Sequence, residues 1–207
     1  MGSEWGRIPH EHYLYTRSSR HPGMAASDPN LSSDPPAEGP PVVLSAAALQ
    51  QRLEEEINRA ARHGTSLSCL LVTIGNLDEL SREHGSDLPE QALAYVAAAL
   101  QRQLRRFDRI GRPSDRELLV VLPGADGPRG EIVARRALDR LRTIKVEVDG
   151  ARWPLRISVG LAAWREDLSG EDLLAHTRAA AQRGVGPDAS SGIETASPPA
   201  LGRPGAS

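Results

Sequence analysis

Two arginine-rich segments in the middle of the chain carry the residue types best suited to binding an anion. Residues 101–116 hold six arginines against two aspartates, and residues 129–145 hold six lysines or arginines against two acids. A guanidinium presents its N–H donors as a planar fork that matches phosphate oxygens and base edges. In a chain of net charge −2, these segments predict a cationic patch suited to a dianion. The alternative is a solvated helix surface with i,i+4 charge pairs.

The first of these segments leads into a predicted β-hairpin, within residues 104–123 (LRRFDRIGRPSDRELLVVLP). A charged periodic run gives way to Gly111, Pro113 and Ser114, and then to five apolar residues, Leu118 to Leu122. This pattern is typical of a helix end followed by a strand, a tight turn and a second strand. The remaining elements are arranged around this hairpin.

Amphipathic helices and apolar strands alternate on both sides of the hairpin. The predicted helices are Ser45 to Gly64, Leu77 to His84, Leu88 to about Arg106, Gly130 to Leu141 and Glu171 to Arg183. The other predicted strands are Ser66 to Ile74, Ile144 to Val148 and Trp153 to Ala162. This order predicts an α/β fold in which a sheet with parallel and antiparallel pairs is flanked by helices.

The composition changes outside residues 44–185. Residues 1–43 and 186–207 are rich in proline, serine and glycine and show neither helical nor strand periodicity, so we expect disordered tails on one domain. The aromatic segment HEHYLY, residues 10–15, is either a docking peptide or part of a leader before an internal start at Met24.

Several functional classes are disfavoured by composition. The single cysteine, Cys69, lies in an apolar run, which excludes a disulfide framework and predicts a buried thiol. His10 and His12 have no third ligand at a plausible spacing, so we expect no metal site there. The slightly negative net charge argues against a nucleic-acid partner. Apolar runs are too short for a membrane span or signal peptide, so we expect a cytoplasmic protein without a membrane partner.

The hairpin and its surroundings resemble the GGDEF family, the diguanylate cyclases of bacterial cyclic di-GMP signalling. Arg112, Glu117 and the pair Leu122-Pro123 match the family's hairpin, whereas residues 114–118 read SDREL where the signature reads GGDEF. Residues 157–162 (ISVGLA) resemble its late strand. The resemblance covers residues 45–184 and implies the nucleotide-cyclase palm, a mixed sheet with a ferredoxin-like core.

The same resemblance implies that catalysis is lost. Cyclases hold divalent metal with carboxylates, and the two metal positions fall at Thr73 and Arg116. Ser114 and Asp115 replace the glycines that let the backbone approach the phosphates. Glu117 is retained, and we expect it to be a solvated hairpin residue. The base-contacting and phosphate-binding positions also differ and fall at Ser81, Glu90 and Val185.

A second family site is retained. Product-inhibited members bind cyclic di-GMP through an Arg-x-x-Asp motif that ends six residues before the signature, where this chain has Arg105 and Asp108. An arginine on the helix after the hairpin completes that site and corresponds to Arg136. As a string the motif also fits residues 112–115 and 136–139, so position in the family frame selects Arg105 and Asp108.

These residue types suit a guanine dinucleotide. An arginine fork can donate to guanine O6 and N7, and a carboxylate can accept from N1–H and the 2-amino group. We therefore expect a catalytically inactive receptor for cyclic di-GMP that needs no cofactor and signals through an unidentified protein partner or self-association. The alternatives are a ligand-free interaction module and an active or GTP-binding enzyme.

Overall fold

The computed structural model describes residues 42–85, 87–148, 151–184 and 192–195, which form five helices and eight strands. The helices are α1 (Ala46–His63), α2 (Leu77–His84), α3 (Leu88–Gln101), α4 (Gly127–Leu141) and α5 (Gly170–Arg183). The strands are β1 (Val43–Leu44), β2 (Leu67–Ile74), β3 (Arg109–Ser114), β4 (Glu117–Pro123), β5 (Lys145–Val148), β6 (Ala151–Pro154), β7 (Ile157–Ala163) and β8 (Gly192–Thr195). The predicted tails lie outside the described residues, apart from residues 42–43 and 192–195.

Six strands form one sheet in the order β1-β3-β4-β2-β7-β8, and β5 pairs with β6 in a separate two-stranded sheet. The central strand β2 is antiparallel to both β4 and β7, whereas β1 and β8 pair in parallel with β3 and β7. The predicted mixed sheet is therefore confirmed. No helix in the described ranges is long and apolar enough to span a bilayer.

Helices cover both faces of the large sheet. Along β2, Leu70 and Val72 pack with residues of α2, α3 and α4, whereas Cys69 and Leu71 pack with α1 and α5. A strand buried on both faces has the continuous apolar sequence that β2 shows. Cys69 is fully buried, so the prediction of a buried thiol is confirmed. Burial raises the pKa of this thiol to about 12.

The strand register defines two opposite ends of the hairpin. At one end Arg109 pairs with Val121, near the point where β4 leads into α4. At the other end Ser114 pairs with Glu117 beside the end of β2, where Thr73 pairs with both Glu117 and Ser158. We call these the helix end and the turn end of the hairpin.

The long helix α3 stops at Gln101, about five residues earlier than predicted. The backbone N–H groups of Gln103 and Leu104 donate to carbonyls three residues back, which closes the helix with tight turns. The carboxylate of Asp108 then accepts a hydrogen bond from the backbone N–H of Arg105. In a continuing helix this N–H would donate to the carbonyl of Gln101. Arg105 and Asp108 therefore lie in a turn between α3 and β3, and not on the helix.

The predicted strand from Trp153 to Ala162 is two strands in different sheets. Asn76 divides it, because its amide donates to the carbonyl of Pro154 at 3.0 Å and accepts from the N–H of Arg156 at 2.9 Å. Pro154 also has no N–H to extend the ladder of β6. Residues after Arg156 join the large sheet as β7.

Residues Gly192–Thr195 also differ from the sequence prediction, which placed them in the C-terminal tail. They form the edge strand β8, in register with Ser158 to Leu161 of β7. A segment of only four residues that starts with glycine carries little intrinsic strand signal. The pairing depends on the partner strand, which local sequence does not show.

Candidate functional site

The turn between α3 and β3 brings Arg105 and Asp108 together. The Asp108 carboxylate accepts from the backbone N–H of Arg105 at 2.7 Å, and the N–H of Asp108 donates to the carbonyl of Arg105 at 3.1 Å. The Arg109 guanidinium donates to the carbonyls of Arg106 and Asp108, at 2.7 and 2.9 Å. These bonds fix the turn from within and leave the Arg105 side chain exposed.

Asp108 combines partial burial with positive surroundings. Its loss of water contact raises the pKa of the carboxyl group, while the Arg105 N–H and the charges of Arg105 and Arg109 act in the opposite direction. A partly desolvated carboxylate forms stronger hydrogen bonds than a fully solvated one. This environment therefore favours a ligand group that carries adjacent N–H donors.

Arg136, the third predicted residue, lies on the exposed side of α4, whose neighbours Ala134 and Ala137 are buried against the sheet. This helix is capped by Asp126, which accepts from the N–H of Arg129 at 2.9 Å, and it begins at the helix end of the hairpin. Helices α3 and α4 share one core cluster. Arg136 lies on α4, whereas Arg105 and Asp108 lie in the turn after α3, and in the described part of the chain no hydrogen bond links Arg136 to either of them.

The predicted cationic patch is smaller than the sequence indicates. Arg112 and Arg116 form ion pairs at the turn end, and Arg109 caps the turn carbonyls, so the other exposed arginines of the first segment are Arg102, Arg105 and Arg106. On α4, Arg135 pairs with Glu131 four residues earlier at 2.5 Å. Both interpretations of the arginine-rich segments therefore apply, but to different residues: some arginines form ion pairs at the surface, and others form a smaller cationic patch.

At the turn end, Thr73 and Arg116, which the resemblance places at the metal positions, are hydrogen-bonded to other side chains of the domain. The Thr73 hydroxyl lies 2.7 Å from the Ser158 hydroxyl. Arg116 donates to Asp78 at the start of α2, at 2.5 Å, and this hydrogen bond holds the pKa of Asp78 below its usual value. A guanidinium repels a divalent cation, and a hydroxyl lacks the negative charge of the carboxylate ligands that such a cation prefers. Within the described ranges, no cluster of three or more histidine, cysteine or acidic residues is arranged for a metal.

A second arginine of the hairpin ties it to α3. One Arg112 nitrogen donates to both carboxylate oxygens of Glu90, at 2.7 and 2.8 Å, and the other donates to the carbonyl of Asp115 at 3.3 Å. The resemblance places Glu90 at a base-contacting position of the family. Its carboxylate is thus engaged with the protein's own guanidinium.

Glu117 is not the solvated residue that the sequence predicts. Its side chain is 13% exposed, and both oxygens accept from Arg178 of α5 at 2.8 Å, with a further bond from the Ser114 hydroxyl at 2.9 Å. The donors from Arg178 hold the pKa of this carboxyl group below its usual value. Sequence reasoning missed the pair because Arg178 is 61 residues away and lies in a helix with no signature of its own.

Comparison with known proteins gives consistent matches. Residues 43–184 match the family model described as diguanylate cyclase, GGDEF domain. The diguanylate cyclase DgcP of Pseudomonas aeruginosa is 26% identical over 125 residues, which are 60% of this chain and 19% of that protein. The probable diguanylate cyclase DgcC of Escherichia coli K12 is 27% identical over 117 residues, 56% of this chain and 31% of that protein. The chain therefore spans less than a third of the length of either relative.

Solved structures show the same fold. The diguanylate cyclase SiaD of Pseudomonas aeruginosa, in complex with its activator SiaC, is 27% identical with a TM-score of 0.64, covering 67% of this chain and 54% of that one. The GGDEF domain of DgcB from Caulobacter crescentus, in complex with c-di-GMP, has a TM-score of 0.66 at 16% identity, covering 87% of this chain and 100% of that one. The predicted cyclase palm-like arrangement is confirmed.

Proposed function

The chain belongs to the GGDEF family of diguanylate cyclase domains, and from that premise we propose that it binds cyclic di-GMP through Arg105, Asp108 and Arg136 without synthesising it. Occupancy of this site would then be passed to a protein partner. A partner is supported by the SiaD relative, which is described in complex with its activator SiaC.

The proposal depends most on the contrast between the two ends of the hairpin. At the turn end, Thr73, Glu90, Arg116 and Glu117 are all engaged with side chains of the domain itself. At the helix end, the turn is fixed by its own backbone bonds and presents the Arg105 side chain to solvent. One end is therefore closed by internal pairs, and the other offers donors to a ligand.

The helix-end residues suit each part of a guanine dinucleotide. The Arg105 fork can donate to O6 and N7 of guanine, and the Asp108 carboxylate can accept from N1–H and the 2-amino group, a donor pair that adenine lacks on this edge. Arg136 adds a positive charge on the neighbouring helix for a base or phosphate. Charge-assisted bonds of this kind are stronger than neutral ones.

Turnover of GTP would require features that the turn end does not supply. Phosphoryl transfer depends on metal ions that neutralise charge and on donors that position the phosphates. The metal positions hold a hydroxyl and a guanidinium, and Asp115 adds a negative charge where the family signature has glycine. These substitutions support a receptor over an enzyme.

A ligand-free interaction module is the second candidate. It is favoured by exposed apolar side chains on the two outer helices, Tyr95 on α3 and Ile132 on α4, the latter 53% exposed. Exposed apolar side chains can contribute to a protein contact surface when they form a contiguous patch.

Calorimetric titration with cyclic di-GMP distinguishes these candidates. We expect saturable binding by the wild type and a loss of about 10- to 150-fold for Arg105→Ala, because one bidentate charged contact is removed. Arg106→Ala is the matched control, since it removes an equally charged, exposed arginine from the same turn. It should change affinity by less than about threefold. Equal affinity of Arg105→Ala and wild type would contradict the proposed site.

A further inference from the structure

Phe107 is the only phenylalanine of the chain, and it occupies the spacer between Arg105 and Asp108. Its side chain is 48% exposed. The neighbouring apolar residue of this segment, Leu104, packs against the core cluster instead. Attachment of the segment to the domain therefore comes from Leu104, and the core does not need the Phe107 ring.

The turn places this ring next to the Arg105 guanidinium. Reciprocal bonds between Arg105 and Asp108 close the backbone on both sides of Phe107. The guanidinium carbon of Arg105 lies 5.8 Å from the centre of the ring, within the range of a cation–π contact. The Arg105 guanidinium thus lies over one face of a half-exposed ring, so an aromatic surface and the fork that would hydrogen-bond a base edge are adjacent.

We infer that Phe107 is a ligand-contacting residue: one guanine base of the dinucleotide stacks on its ring while Arg105 and Asp108 hydrogen-bond the edges of that base. This inference rests on the proposed function and adds a residue that the Arg-x-x-Asp motif leaves unspecified. Aromatic side chains are common stacking surfaces for unpaired bases.

Stacking contributes mainly to affinity, whereas recognition of the base edge contributes to selectivity. Measuring both quantities therefore distinguishes a stacking role of Phe107 from a merely structural one. Every base has a π face, so a stacking residue raises affinity with little preference between guanine and adenine. Selectivity comes from the donors and acceptors of Arg105 and Asp108. Loss of the ring should therefore weaken binding of cyclic di-GMP and leave the preference over cyclic di-AMP unchanged, whereas collapse of the turn would reduce both.

The test measures the affinity of wild type, Phe107→Ala, Phe107→Leu and Phe107→Trp for both dinucleotides. We expect Phe107→Ala to bind cyclic di-GMP about 5- to 150-fold more weakly, the range for one stacked base. Phe107→Leu keeps apolar bulk without a π face and should also lose affinity. Phe107→Trp should bind at least as well as wild type, with quenching of the new indole fluorescence.

Ile132→Ala provides the matched control, because it removes another exposed apolar side chain from a neighbouring element. Its affinity should equal that of wild type. If wild type binds and Phe107→Leu or Phe107→Ala binds equally well, the inference fails while the proposed function stands. If wild type itself does not bind, the proposed function fails. A thermal melt of each variant identifies any loss caused by unfolding, and Phe107→Trp tests the role of the ring without removing it.

Discussion

Glu117 matches the family signature, and its carboxylate is hydrogen-bonded to other side chains of the domain. In this domain it accepts two hydrogen bonds from Arg178 and one from Ser114, and it joins the hairpin to α5. The pair is largely enclosed on the Glu117 side, whereas Arg178 is 38% exposed. We therefore interpret Glu117 as a structural residue of the turn end.

Replacement of Glu117 by glutamine should lower the free energy of unfolding by about 1 to 2 kcal/mol at pH 7, a range that allows for solvent screening of Arg178. The pKa of Glu117 is lowered in the folded state, so its contribution is present above the unfolded pKa of about 4.5 and is lost as pH falls through the folded value. The variant should therefore show a shallower loss of stability in acid.

Chemical denaturation of both proteins from neutral to acidic pH measures this effect. Glu131→Gln is the control, since its i,i+4 pair with Arg135 is exposed and should contribute less than about 0.5 kcal/mol. Identical stability curves for wild type and Glu117→Gln would show that the pair contributes nothing.

At the scale of elements, the turn end is held by several contacts that sequence could not reveal. Arg116 joins the hairpin to α2, Arg112 joins it to α3, and Glu117 joins it to α5. Each pair spans a separation of 22 or more residues. Placing carboxylates at positions 73 and 116 would leave the pairs formed by Arg112 and Glu117 in place.

The double variant Thr73→Asp with Arg116→Glu should therefore produce no cyclic di-GMP from GTP and Mg²⁺ or Mn²⁺ above a no-enzyme control. Ser114 and Asp115 would still replace the two glycines of the family signature, and Glu90 would still be engaged with Arg112. Nucleotide analysis by chromatography measures the product. Clear turnover by wild type or by the double variant would contradict this account of the turn end.

Local patterns predicted most of the elements because each has its own periodicity or cap. Ser45 caps α1 and Gly64 ends it with a positive φ of 60°, as their sequence positions indicated. The end of α3 was not predictable, since a side chain of the turn, Asp108, competes for the helical N–H. The division of β6 from β7 depends on Asn76, a residue 78 positions before Pro154.

The candidate site also contains residues that the sequence predicts and features that only the structure shows. Family position identified Arg105 and Asp108, and the structure joins them in one turn. The exposure of Phe107 and the Arg178 partner of Glu117 depend on how α3, β3 and α5 pack, which no local window of sequence contains.

At the scale of the whole molecule, the described residues form a domain whose edge strand comes from the C-terminal region. Four residues of β8 pair with β7. A chain shortened to residues 42–196 should therefore melt at the same temperature as the full chain, because the sequence predicts no packing role for residues 1–41. A chain shortened to residues 42–186 should be less stable by about 1 kcal/mol or more, since the backbone groups of β7 lose their partners.

Thermal melts of the three chains test this directly. Equal melting temperatures for residues 42–186 and the full chain would show that β8 does not stabilise the domain. A lower value for residues 42–196 than for the full chain would assign a packing role to the omitted tails.

The most direct test of a domain that binds cyclic di-GMP but not GTP is calorimetric titration of the wild-type protein with each nucleotide separately. One titration uses cyclic di-GMP, and the other uses GTP with Mg²⁺. The residues predicted for the two ligands lie at opposite ends of the hairpin, and at the turn end Arg112 and Arg116 are engaged in internal ion pairs. We predict saturable binding of cyclic di-GMP and no binding of GTP. Absence of cyclic di-GMP binding, or saturable binding of GTP, would contradict the account.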